Sequence, residues 1–208
     1  KNDYLGSDSV ATIDGTFYKT IQDAVNKVEP NQEIKLLKSI SEDFTVSSNM
    51  DVKINLNGHS ITTQVINDGT LNIYNGSLQN FENTTVINNG TFIMGENDGK
   101  VSSTNVRVVS ETTTIENNGT FKMYDGYIEG VNPSLTGDIN EIAEFARIYT
   151  KKDDQSERKY LQSLSEDAIK NKETDLIISI DPAGGLYNNS KEKQEVFLKY
   201  EESYTLLT

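Results

Sequence analysis

The chain has 208 residues, with 32 Asp and Glu against 19 Lys and Arg, a formal net charge of −13. That balance argues against nucleic acid as a partner, because a phosphate backbone would be repelled. There are no cysteines, which removes disulfides, thiolate catalysis and Cys-ligated zinc, and no apolar run approaches the roughly 18 residues of a membrane span.

Residues 10–16 alternate and then turn at Asp14-Gly15, which predicts a hairpin. Phe17, Ile21, Ala24, Val25 and Val28 follow at helical spacing, and Pro30 ends that run. A strand is expected over Glu33–Lys38. Residues 1–43 therefore read as a hairpin–helix N-terminal cap.

Residues 44–130 read as strands and turns throughout. Val52, Ile54 and Leu56 alternate, Asn57-Gly58 turns, and Ile61 resumes. A nine-residue repeat of the form [VI]-x-N-[DN]-G-T-[LF]-x-[IM] then appears three times, at 65–73, 86–94 and 115–123. Its glycines, Gly69, Gly90 and Gly119, lie 21 and then 29 residues apart. A period in this range predicts a solenoid, in which each unit buries its apolar face only against its neighbours. A second turn follows each repeat, at Asn75-Gly76, Asp98-Gly99 and Asp125-Gly126, with Leu78, Val101 and Ile128 two residues beyond. Each coil thus has at least two strands with an Asn/Asp-Gly corner after each, where glycine is expected to supply positive φ.

Stacking such coils about 4.8 Å apart predicts columns of like residues. Leu71, Phe92 and Phe121 form one interior column; Ile73, Met94 and Met123 a second; Val65, Val86 and Ile115 a third. Asn67, Asn88 and Asn117 form an asparagine ladder, and Thr70, Thr91 and Thr120 point outward.

Residues 131–174 read as a connecting or capping segment. Ile139, Ile142, Ala143 and Phe145 are spaced for a short helix, and Tyr160–Ile169 echoes Tyr18–Val25. A second hairpin–helix–strand unit is expected at about 146–181. The sequence starts at Lys1 and ends within Tyr204–Thr208, so it is expected to be an excised part of a longer protein.

Two resemblances rest on these residues. Tyr18–Val25, Ile34–Lys38 and Ile54–Ile61 resemble the N-terminal cap and first coils of right-handed parallel β-helix regions in surface proteins of Gram-positive bacteria, which share the pectate-lyase-like fold. Asp175–Tyr187 and Val196–Leu207 are similar to the internalin-type B-repeat, a small β-grasp-like module, and stop before the Gly-Tyr-x-Phe-x-Gly-Trp stretch of that family. Together they imply an all-β fold: a single-stranded right-handed parallel β-helix over 44–130 with a helical N-terminal cap. A small α+β C-terminal module at 175–208 follows. They also imply an extracellular, cell-surface or cell-wall setting, and a host or cell-wall glycan or protein as partner of a monomeric chain.

For chemistry, Asp98 and Asp125 occupy the same predicted turn position in adjacent coils. Stacked carboxylates about 5 Å apart have the separation used by retaining glycosidases, and with Glu96 they could instead bind calcium. Plain turn formation accounts for both residues better, and the insertion at Gly95-Glu-Asn-Asp-Gly99 breaks the register between them. A lyase of this fold needs acidic calcium ligands with an Arg or Lys base, and Arg107 has no acidic cluster tied to it. His59 has no Ser and Asp partners and reads as a turn-flanking surface residue. Tyr74 and Tyr124 share an outward column, with Tyr127 close by, and exposed aromatics can stack on sugars. The expectation is a non-enzymatic module without cofactor or metal, acting as a rigid stalk or adhesive face. The alternative is a carbohydrate-binding or polysaccharide-degrading protein using the outer face.

Overall fold

The computed structural model describes residues 8–98, 105–131, 134–143, 146–151, 158–162, 178–180, 186–188, 196–200 and 203–207. Strands β1 (Ala11–Ile13) and β2 (Thr16–Tyr18) form the expected hairpin around Asp14 (φ 47°) and Gly15 (φ 83°). Left-handed backbone at both central residues matches the twist of the flanking strands.

Helix α1 is short, Ile21–Val25, and Thr20 caps it by accepting from Asp23 N at 3.0 Å. Ile21, Ala24 and Val25 are buried, and Val28 is buried in the turn beyond. Phe17, expected on the helix, lies in β2 and is 52% exposed. The cap at Thr20 sets the helix start, so Phe17 obeys strand alternation instead.

About five three-strand turns follow. The first is β3 (Ile34–Leu36), β4 (Ile40–Ser41) and β5 (Phe44–Val46). The second is β6 (Asp51–Asn55), β7 (Ser60–Thr62) and β8 (Val65–Asn67). The third is β9 (Thr70–Tyr74), β10 (Gly76–Asn80) and β11 (Val86–Asn88). The fourth is β12 (Thr91–Met94), β13 (Val106–Ser110) and β14 (Ile115–Asn117). The fifth is β15 (Thr120–Met123), β16 (Tyr127–Val131) and β17 (Leu135–Thr136). Strands β18 (Glu141–Ile142) and β19 (Arg147–Lys151) begin another turn. Ile142 therefore lies in a strand where a short helix was expected, because pairing with Met123 continues the sheet.

Equivalent strands pair in parallel, giving three sheets along a β-solenoid of the right-handed type. The first sheet runs from β3 to β18, with β1 joining β3 antiparallel. The second runs from β4 to β19 and continues antiparallel through β20 (Arg158–Gln162), β21 (Ile178–Ile180) and β22 (Leu186–Asn188). The third runs from β5 to β17, and β23 (Val196–Tyr200) pairs with β24 (Ser203–Leu207). Tyr160, expected to open a second helix, lies in β20, and residues 163–177 of that expected unit lie outside the described residues. The same holds for the stretches of 175–208 between β21 and β24.

The interior columns form as expected. Leu71, Phe92 and Phe121 are in register and fully buried, and the two phenylalanine rings meet edge to face at 5.5 Å. Ile73, Met94 and Met123 make the second column, and Val65, Val86 and Ile115 the third. The ladder is continuous: Asn67 Nδ2 donates to Asn88 Oδ1, and Asn88 Nδ2 to Asn117 Oδ1, both at 2.7 Å. A second, exposed ladder runs beside it, from Asn118 to Asn89 at 3.0 Å and from Asn89 to Asp68 at 2.8 Å.

The repeat glycines correct one expectation. Gly69, Gly90 and Gly119 are not at positive φ. A Cβ on Gly90 would collide with Gly69 O, and one on Gly119 with Gly90 O. Close approach of one coil to the next selects glycine there. Positive φ selects it at Gly58 and Gly126, as expected.

At the first coil, Gln22 covers the open edge of the third sheet. Its Oε1 accepts from Thr45 N at 2.8 Å and its Nε2 donates to Thr45 O at 3.1 Å. One side-chain amide thus replaces a missing strand partner.

Candidate functional site

The outer face of the first sheet carries two of the tyrosines singled out above. In register, Tyr74 stands over Asn55, and the row continues through Gly95, one residue beyond β12, to Tyr124, one residue beyond β15. The tyrosines are therefore two coils apart with a glycine between, about 9.6 Å at the usual strand spacing.

Each tyrosine is tied by its hydroxyl to a carboxylate of a different coil. Tyr74 donates to Glu33, which precedes β3. Lys53 Nζ lies 4.9 Å from the centre of the Tyr74 ring, 3.7 Å from Glu33 and 2.7 Å from Glu96. Burial, then the bond to Glu33 and the nearby charges of Glu33 and Glu96, hold the Tyr74 hydroxyl well above its ordinary pKa. Tyr124 donates to Glu141 at 2.6 Å, and Lys122 pairs with the same carboxylate at 2.8 Å. The bond to Glu141 raises the Tyr124 pKa, while bonds from Lys122 and Tyr124 lower that of Glu141. The two Tyr–Glu–Lys clusters bind the coils to one another, and Lys53 covers one face of the Tyr74 ring. Tyr127 sits around the corner on the second sheet, in register with Arg107.

The corner between the first and second sheets holds Asp125. Pairing of Gly76 with Val106 and of Arg107 with Tyr127 puts Asn105 over Asn75 and Asp125 over Asn105. Asn105 Nδ2 donates to Asp125 Oδ2 at 3.0 Å, Gly126 N donates to Oδ1 at 2.7 Å, and Asp125 is 3% exposed. Asp98 is exposed in the connection between β12 and β13. The expected Asp98–Asp125 stack is thus replaced by Asn105–Asp125. The connection after β12 is longer than its counterparts, so the Asp-Gly dipeptide at 98–99 does not mark the corner. For the same reason Val108, not Val101, stands between Leu78 and Ile128; Val101 lies outside the described residues.

His59 flanks the Asn57-Gly58 turn, half buried, with its backbone N–H donating to Leu56 O at 2.8 Å. Among the described residues no group of three or more His, Asp or Glu is placed to hold a metal ion. Sequence reasoning missed Asn105, Glu33 and Glu141. The first was hidden by the insertion, and the others act across coils that no local pattern relates. Comparison with protein families, curated proteins and solved structures found no match to this chain.

Proposed function

We propose that this chain is a non-enzymatic module of an extracellular, cell-wall-associated bacterial protein, working as a rigid stalk and interaction surface. The supporting observation is the register itself: about five turns share continuous apolar columns, and the Asn67–Asn88–Asn117 and Asp68–Asn89–Asn118 ladders tie three of them together. Such a stack resists bending because each coil is fixed to the next by backbone, side-chain and core contacts together. The bonds from Asn105 and Gly126 to Asp125 support reading that carboxylate as a corner-forming group. The resemblance to pectate-lyase-like β-helix regions and to the internalin-type B-repeat supports the surface setting. In this reading α1 belongs to a helical N-terminal cap, and 175–208 to a β-grasp-like module that continues the stalk.

The test is a panel of polysaccharides incubated with the purified chain and read for new reducing ends and unsaturated products. No turnover is expected. Turnover abolished by Asp98→Asn/Asp125→Asn would make this an enzyme. Selective retention on a glycan array, weakened by Tyr124→Ala, would instead make the first sheet a carbohydrate-binding face.

A further inference from the structure

The sequence has four Asn-Gly pairs, at Asn57, Asn75, Asn89 and Asn118. An asparagine followed by glycine is open to a spontaneous reaction, because no Cβ hinders approach of the glycine nitrogen to the side-chain carbonyl carbon. That nitrogen must lose its proton to react, so a hydrogen bond that it donates has to break first. The fold holds three of the four nitrogens in bonds to carbonyl oxygens of an adjacent coil. Gly58 N donates to Asn75 O at 2.7 Å, Gly76 N to Asn105 O at 2.9 Å and Gly90 N to Asn67 O at 3.0 Å. Gly119 N differs. Asn88 O accepts from Asn118 N at 2.8 Å, and Gly119 N turns to Asn117 Oδ1 at 3.3 Å. That oxygen also accepts the shorter bond from Asn88 Nδ2, at 2.7 Å. Asn118 is exposed, whereas Asn57 and Asn75 are half buried. Asn89 is exposed like Asn118, and both lie in the same local sequence, Asn-Asn-Gly-Thr-Phe. The hydrogen bond of the following glycine is what separates these two.

We propose that Asn118 is a site of spontaneous deamidation, and that the reaction cuts the exposed ladder. Gly119 N gives its proton to solvent base and attacks Cγ of Asn118. The N–Cγ bond forms, the Cγ–Nδ2 bond breaks, and the amide nitrogen leaves as ammonia with a proton from water. Water then opens the succinimide at either carbonyl, giving aspartate or isoaspartate at 118. Solvent supplies every reactant, and nothing is oxidised or reduced. The amide that is lost is a ladder donor: Asn118 Nδ2 donates to Asn89 Oδ1 at 3.0 Å. A carboxylate in its place can only accept, so two oxygens meet where a bond was. Continuing the pairing of Glu116 with Thr136 puts Asp138 beside position 118 in the next turn. The new charge therefore also lies next to a like charge. Isoaspartate further lengthens the backbone just before Gly119, where the coils touch so closely that a Cβ would collide with Gly90 O.

The experiment is incubation of the intact chain at mildly alkaline pH, with samples taken over time for peptide mapping by mass spectrometry. Conversion of amide to acid is followed separately at each of the four pairs. Asn118 should convert first, ahead of Asn89 by about fivefold or more, the scale of one hydrogen bond broken before reaction. The same incubation in denaturing urea should bring Asn89 and Asn118 to equal rates, since their local sequences match. Equal rates at the two in the folded chain, or faster conversion at any of the other three, overturns the proposal. So does an Asn118 lead that persists in urea, which would take the fold out of the cause. Asn118→Asp makes one product directly and should unfold at lower urea than wild type. An unchanged midpoint would overturn the claim that the reaction cuts a ladder that matters. Neither measurement reads turnover or glycan binding, so its outcome is independent of the stalk reading.

Discussion

Single side chains in this molecule act mostly through the coil above or below. Asn88 donates to Asn117 at 2.7 Å and to Thr120 O at 2.9 Å, while accepting from Asn67. Asn88→Leu keeps the approximate volume but strands an Asn67 donor, removes the Asn88 bond to Thr120 O and leaves Asn117 Oδ1 with the longer bond from Gly119 N at 3.3 Å. Buried polar groups left unpaired cost about 1–3 kcal/mol each, so a loss of roughly 2–4 kcal/mol is expected in urea denaturation. A loss below about 0.5 kcal/mol would show that the ladder adds nothing to stability. Tyr74 gives a pH-dependent prediction. Its folded pKa is raised, first by burial and then by Glu33, so its contribution is complete below the ordinary tyrosine value. That contribution is lost as pH climbs through the folded value. The alkaline absorbance difference between wild type and Tyr74→Phe should have its midpoint well above about 10, the ordinary tyrosine pKa. A midpoint at the ordinary value would mean that the Glu33 bond and the burial are absent in solution.

At the level of elements, the corner glycines separate two physical demands that look alike in sequence. Gly58 has φ 79° with nothing near a Cβ, whereas Gly90 has ordinary φ with Gly69 O in the way. Gly58→Ala should cost roughly 1–2 kcal/mol, the strain of a left-handed alanine. Gly90→Ala should cost upwards of ~3 kcal/mol or prevent folding, because two backbones must separate. Thermal or urea unfolding of the two variants decides it, and equal costs would refute the close-approach argument. The same contrast explains what was legible beforehand. The apolar columns, the ladder and the Asp14-Gly15 hairpin were readable because each depends on a local pattern repeated in phase. The role of Gly90, the Gln22 clasp on Thr45 and the carboxylate anchors of Tyr74 and Tyr124 depend on which residue of another coil lies opposite. The insertion after β12 made that unreadable: it moved the corner from Asp98 to Asn105, and the predicted carboxylate pair went with it. Phe17 failed for a nearer reason, since helical spacing continued across a cap that the hairpin had already fixed at Thr20.

The parallel turns from β3 to β19 form a one-dimensional stack, so their stability is expected to be close to a sum of coil and interface contributions. This predicts that one entire coil can be removed. Deleting Thr70–Gly90 joins Gly69 to Thr91, which stands over Thr70 and hence over Asp51 in the register. Phe92 then packs on Val52, β13 lies on β7, and Asn67 meets Asn117 directly, because Leu71, Ser77 to Gln79 and Asn88 are the intermediates that disappear. Every column loses one member and none changes its phase. The variant should keep a β-sheet circular dichroism spectrum, unfold cooperatively at lower urea with a smaller m value, and be shorter by about 4.8 Å in solution scattering. Deleting only Thr70–Asn80 removes β9 and β10 but leaves Phe81–Thr85 and β11 after Gly69, so that coil loses its first- and second-sheet strands and the chain falls out of phase with the turns. That chain should fail to fold. Equal behaviour of the two deletions, whether both fold or neither does, would show that the phase of the coils does not govern the structure.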